Sequence, residues 1–179
     1  MASFVQRLIG AARLSPATYE EVEADKSALG QAMLVVVLSA AAAGVGEIGD
    51  KGLLRPIASA FGALIGWYIW AVLTWFIGTK LLPESTTQAD IGQLLRTTGF
   101  SAGPGIIRIF AFLPMLGGFI RIVAGVWMLS SMVVAVRQAL DYQATWRAVL
   151  VCVIGFAVNV AIGVAIAVAV GASVFSLGN

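Results

Sequence analysis

Residues 94–148, LLRTTGFSAGPGIIRIFAFLPMLGGFIRIVAGVWMLSSMVVAVRQALDYQATWRA, stay apolar for far longer than one membrane crossing requires. The hydrocarbon core of a bilayer is about 30 Å thick and takes roughly 20 helical residues. As one straight helix, the 38 residues 99–136 would measure about 57 Å at roughly 1.5 Å each. The chain must therefore cross, turn and cross back. Pro104, Pro114, Gly117 and Gly118 punctuate the stretch, and the turn is expected over residues 113–118. Proline lacks an amide hydrogen and glycine permits backbone angles that other residues resist, so together they end one helix and start another.

Composition bounds the class. Hydrophobic residues make up 60% of the 179, and charged ones 11%, against about 25% in ordinary soluble domains. A single polytopic membrane domain follows, with no large aqueous domain left over. The net charge of +2 is too small, and the basic residues too scattered, for a nucleic-acid surface. The one cysteine, Cys152, sits in an apolar run, so no disulfide framework is expected. Histidine is absent, which disfavours haem, zinc and histidine-ligated pigments and removes the commonest general base. No cofactor is expected.

Residues 1–26 read as an amphipathic interfacial segment, 27–172 as the membrane domain and 173–179 as a short tail. Phe4, Val5, Leu8, Ile9 and Ala12 share one helical face opposite Gln6, Arg7 and Arg13, which suits a helix lying among lipid headgroups. Ser15 and Pro16 open a second short helix with Glu20, Glu21 and Glu23 on a solvated or docking face. The first span is expected at residues 27–45 and the second at 57–82, where Trp67 and Trp70 are too deep for an interfacial belt and read as packing or lipid-facing residues. Thr86 or Thr87 would cap an amphipathic helix feeding a third span at residues 99–116. A fourth follows at 118–136. Tyr142 and Trp146 suit an interfacial belt before a fifth span at 146–170. That span carries Gly155, Asn159, Gly163, Ala167 and Gly171 at four-residue spacing, a ridge along which another helix can approach closely.

The expected architecture is thus all-α: five transmembrane helices, with short amphipathic helices at the amino terminus and before the third span. In it, Arg7, Arg13, Lys26, Lys80, Arg96, Arg137 and Arg147 share one side, and Lys51, Arg55 and Arg121 the other. Basic residues favour the cytoplasmic face, so the amino terminus is expected in the cytoplasm and the carboxyl terminus outside. An even number of spans would spoil the bias.

Chemistry-bearing residues are few. Arg108 falls inside the third span, where a charge costs a few kcal/mol and needs a partner such as Asn159, carbonyls freed by Pro104 or Pro114, or a lipid headgroup. It is read as structurally paired, with a pathway charge or lipid recognition as the alternatives. Arg121 would lie nearer the far interface, opposite Glu47 or Asp50. Ser130 and Ser131 have no evident base and suit helix-to-helix hydrogen bonds. The segment Glu47-Ile48-Gly49-Asp50-Lys51 resembles the E-x-G-D-K/R-S/T element of a family of membrane cation transporters, in which paired acidic motifs supply oxygen ligands to manganese or calcium. Gly52 stands where that element has serine or threonine, and no second copy exists, so Glu47 and Asp50 are weak metal candidates.

The amphipathic start, RLSPATYEEVEAD, LLRTTGFSAGP, the paired apolar helices around a proline and glycines, and TWRAVLVCVIGFAVNV together resemble the Yip family of Ypt/Rab-interacting membrane proteins, in a compact prokaryotic form. The resemblance implies a five-helix bundle with a cytosolic amino terminus and a non-catalytic role among membrane partners. Its eukaryotic members carry a long cytosolic amino-terminal region that these residues do not match. A membrane-organising or assembly partner in a prokaryotic inner membrane is the expectation, in contact with lipids and with other membrane proteins or further copies of itself. A small transporter or channel is the alternative.

Overall fold

The structure is a computed structural model that describes residues 2–46 and 54–177. Seven α-helices occur among the described residues: α1 Phe4–Ala12, α2 Pro16–Ala24, α3 Ala28–Gly46, α4 Leu54–Phe76, α5 Ile91–Ser101, α6 Gly117–Ala139 and α7 Thr145–Leu177. A π-helical turn, Ile77–Leu81, extends α4, and a 3-10 helix, Gly103–Phe112, follows α5. Among the described residues four segments are long and apolar enough to cross a bilayer: Ala28–Val45, Ala60–Leu81, Gly117–Ala139 and Thr145–Ala165.

The expected third span differs. Residues 91–112 are no single α-helix but α5 followed, after Ala102, by the 3-10 helix that Pro104 enters near its first turn. Gly-Pro-Gly at 103–105 explains the change, since proline withholds an amide and glycine favours helix least. The two pieces nevertheless lie along α3 in one register. A Cβ on Gly99 would touch Ala32, one on Gly103 would lie near Val35, and one on Gly105 would strike Ser39. α5 and the 3-10 helix thus continue one another alongside α3, running in the same direction.

At the expected turn the left-handed backbone falls on Met115, at φ 66°, rather than on a glycine. Gly117 is needed for a different reason: a Cβ there would sit 2.2 Å from the Ala111 carbonyl oxygen. The cap of α5 is Asp90, not Thr86 or Thr87. Its carboxylate accepts from Gln93 N at 2.7 Å while Gln93 Oε1 accepts from Asp90 N at 2.6 Å, a reciprocal capping box. Thr86 and Thr87 instead tie the preceding loop, Thr86 donating to the Asp141 carbonyl and Thr87 accepting from Glu84 N.

Two cores hold the bundle. One joins α4, α6 and α7 through Ala71, Val136, Leu140 and Val151; the other joins α1, α2, α3, α5 and α6 through Ala11, Tyr19, Val22, Ala32 and Phe100. Tyr142, expected in an interfacial belt, is 4% exposed, and its hydroxyl donates to the carbonyls of Gly78 and Leu82 at 3.0 and 2.8 Å. Carbonyls at the π-helical turn and the strand of chain after it supply the acceptors that draw it inward. Trp146 is exposed, as a belt residue would be.

Candidate functional site

Arg108 lies in the 3-10 helix with its guanidinium turned toward α3. Its Nη2 donates to Ser39 Oγ at 2.9 Å and to the Ser39 carbonyl at 3.1 Å, and its Nε to the Gly105 carbonyl at 3.0 Å. A charge in an apolar surrounding demands such hydrogen bonds. Ser39 was not among the expected partners; the clue in the sequence is a lone hydroxyl in the apolar run of α3. Gly105 makes the approach feasible, because a Cβ there would meet Ser39 Oγ at 2.2 Å and Arg108 Nη2 at 2.9 Å.

Arg108 and Arg121 line one cavity of about 180 Å³ with Ala43, Ala111, Gly125 and Met128. Both guanidiniums are engaged by the protein. The fold therefore brings together two arginines that the sequence reading kept apart, because the turn at residues 113–116 folds α6 back on the 3-10 helix. Pro104 is buried and Pro114 exposed at the turn, while Gly118 faces open space. Glu47 and Asp50 lie outside the described residues, and among the described residues no cluster of three potential metal ligands occurs.

On α7, among the described residues of the small-residue ridge, Gly155 meets the chain closely and Gly163 does not. Gly155 packs against Trp70, where a Cβ would lie 3.3 Å from the ring. Asn159 and Gly163 are exposed, and a Cβ on Gly163 would meet nothing within 4 Å. Ala167 and Gly171 fall within the helix, but their side chains lie outside the described residues. Asn159 does not line the cavity that holds Arg108, its anticipated partner. It borders a crevice of about 310 Å³ with Trp67, Trp70, Thr98, Met132 and Phe156. The two indoles are packing residues with satisfied donors: Trp67 Nε1 bonds Thr98 Oγ1 at 3.1 Å, and Trp70 Nε1 bonds the Met132 sulfur at 3.3 Å.

The amino-terminal end of the bundle is closed by polar links. Arg7, expected on a polar outer face, is 2% exposed, with Nη2 3.0 Å from Glu21 and 2.7 Å from Asp25 and Nη1 3.2 Å from Gln31. Acids on α2 thus pull the cation inward and turn Val5 and Ile9 outward. Burial works against the Arg7 charge but is outweighed by the bonds to Asp25 and Glu21, so its pKa rises. The Ser27 hydroxyl, then Arg7, holds Asp25 down to about 2, and Glu21 is lowered by the Ala2 amide and by Arg7. Glu23 moves the opposite way, to about 7, because burial and the nearby Asp141 charge outweigh the attraction of Arg96. Arg96 is spent on backbone, its Nε and Nη2 donating to the Glu23 carbonyl and its Nε also to that of Val22. The acidic run of α2 is therefore internal glue, with Glu20 bonded to Gln138 and Glu23 to Gln93.

Helices alone as regular structure among the described residues, with long apolar spans, short polar caps and arginines bonded between helices, define an integral membrane protein of the helix-bundle type. Residues 12–175 match the Yip1 domain, and the chain belongs to that family. No curated protein and no solved structure matches it.

Proposed function

We propose that the chain is a non-enzymatic membrane protein of Yip type that organises an assembly in the bilayer, offering α7 as the surface for another membrane protein or a second copy. The observation that carries this reading is Asn159. It is exposed on α7, makes no side-chain hydrogen bond among the described residues, and lies about 21 Å along the helix from Thr145. An amide left in hydrocarbon is costly, and a hydrogen bond to a neighbouring helix relieves it by about 1–2 kcal/mol. Gly163, one turn on, leaves room for that neighbour's backbone.

The same reading has five crossings, with the amino terminus in the cytoplasm of a prokaryotic inner membrane. Supporting it, α5 and the 3-10 helix together measure about 36 Å at roughly 1.5 and 2.0 Å per residue, enough for the third crossing. The membership in a family of generally non-enzymatic proteins supports the absence of catalysis.

Crosslinking from position 160 in native membranes tests the assembly role. A discrete adduct that Asn159→Leu and Gly163→Leu abolish is expected; a lone monomer in membranes and in mild detergent overturns it. The arginine-lined cavity favours a second reading, a small transporter for anionic solutes. Proteoliposome flux that is lost in Arg108→Ala would put that reading first.

A further inference from the structure

We propose that α1 and α2 form a re-entrant hairpin, a wedge inserted into one leaflet only, and that the protein thereby prefers and promotes curved membrane. The depth follows from register. Polar residues mark one boundary of the bundle: Asp25, Lys26 and Ser27 precede α3, and Arg137 and Gln138 end α6. From that level α1 descends. Phe4 packs on Phe100 with ring centroids 6.5 Å apart, and Leu8 reaches Gly103, beside Val35, which lies about 10 Å along α3 from Ala28. At its end the Ala12 carbonyl accepts from Trp127 Nε1 at 2.6 Å, and Trp127 lies about 15 Å along α6 from Arg137. α2 then returns. Tyr19 bonds Ser131 at 2.6 Å, and Glu20 bonds Gln138 back at the boundary.

The chemistry of the hairpin matches that path. Its mouth is stapled by Arg7, Glu21 and Asp25, at polar depth. Its two arms touch at Gly10, where a Cβ would lie 2.2 Å from Thr18 Oγ1. Toward the tip it presents Ile9, Pro16 and Ala17 to the acyl chains, with Ile9 46% exposed, while Val5 is exposed nearer the mouth. Arg13 is exposed at the tip, and a cation at that depth is accommodated by its apolar stem extending toward the headgroups. Two helices, each roughly 10 Å across, are thus added to one half of the bundle, and among the described residues nothing balances them in the other half. A cross-section wider in one leaflet is accommodated best where that leaflet is expanded. All of α1 but its last residue precedes the residues that match the family domain, and the inference does not depend on association through α7.

The test uses the full chain, with Cys152→Ala, in vesicles of phosphatidylcholine and phosphatidylglycerol. Spin labels at Ala17→Cys and, separately, Ile9→Cys are expected to collide with oxygen and to be shielded from a water-soluble nickel chelate, unlike a label at Ser27→Cys. Labels as open to the chelate as the Ser27 control overturn the insertion. Protein density is expected to be about twofold or more higher on small sonicated vesicles than on large extruded ones, and equal density overturns the wedge. An association-deficient Asn159→Leu chain should retain both results.

Discussion

Arg7 shows how one residue decides where a helix goes. Left on a polar face it would have kept α1 at the surface; bonded to Glu21 and Asp25 it becomes the link between the first two helices. Arg7→Ala removes the charge-assisted bonds of a buried guanidinium to Glu21 and Asp25 and should lower stability by about 1–3 kcal/mol, read as a lower melting temperature of the full chain in detergent. The same link has an acid limit. Because Asp25 is depressed from 3.8 to about 2, its contribution is complete above pH 3.8 and is lost as pH falls through 2. Glu23 has the opposite sign. Its pKa rises from 4.5 to about 7, so the folded chain holds a proton that the unfolded chain releases, and stability declines as pH climbs from 4.5 to 7. A melting series across that window should slope downward in the natural protein and flatten in Glu23→Gln, which should also melt higher at pH 8.

The joint between α5 and the 3-10 helix shows what small residues do for an element. Gly99 sits against Ala32, where a Cβ would come within 2.7 Å of the Ala32 Cβ and 3.1 Å of its carbonyl oxygen. Backbone cannot swing aside as a side chain can, so Gly99→Ala should cost about 1–3 kcal/mol by overpacking. Gly118→Ala, in open space near the start of α6, should leave the melting temperature unchanged or slightly raised. Comparing the two variants in one detergent separates close packing from helix propensity. Met115, fully exposed with φ 66°, is the complementary case. Met115→Gly should relieve about 1 kcal/mol of backbone strain, and an unchanged or lower melting temperature would contradict that.

For the molecule as a whole, direction matters more than the number of helices. The α5 and 3-10 pair runs with α3, while α6 returns against it, placing Arg121 beside Arg108 and Gln138 beside Glu20. Tags at the two ends, probed from each side of sealed vesicles, should therefore react from opposite faces; reaction from the same face would leave four crossings. The all-helical class, a turn opening at Leu113, the packing tryptophans and the family resemblance were all legible in the sequence. Each rests on local properties: how long a run stays apolar, which residues break a helix, and where indoles lie within a span. The partner of Arg108, the burial of Arg7 and Tyr142, the 3-10 path after Gly103 and the descent of α1 between its neighbours were not. Those depend on which helices touch and at what height, and a hydrogen bond between Arg108 and Ser39, 69 positions apart, leaves no periodic trace in the chain. Hydrophobic length determined that this protein lives in a bilayer; only the packing of helix on helix decided which of its few charges would be held inside.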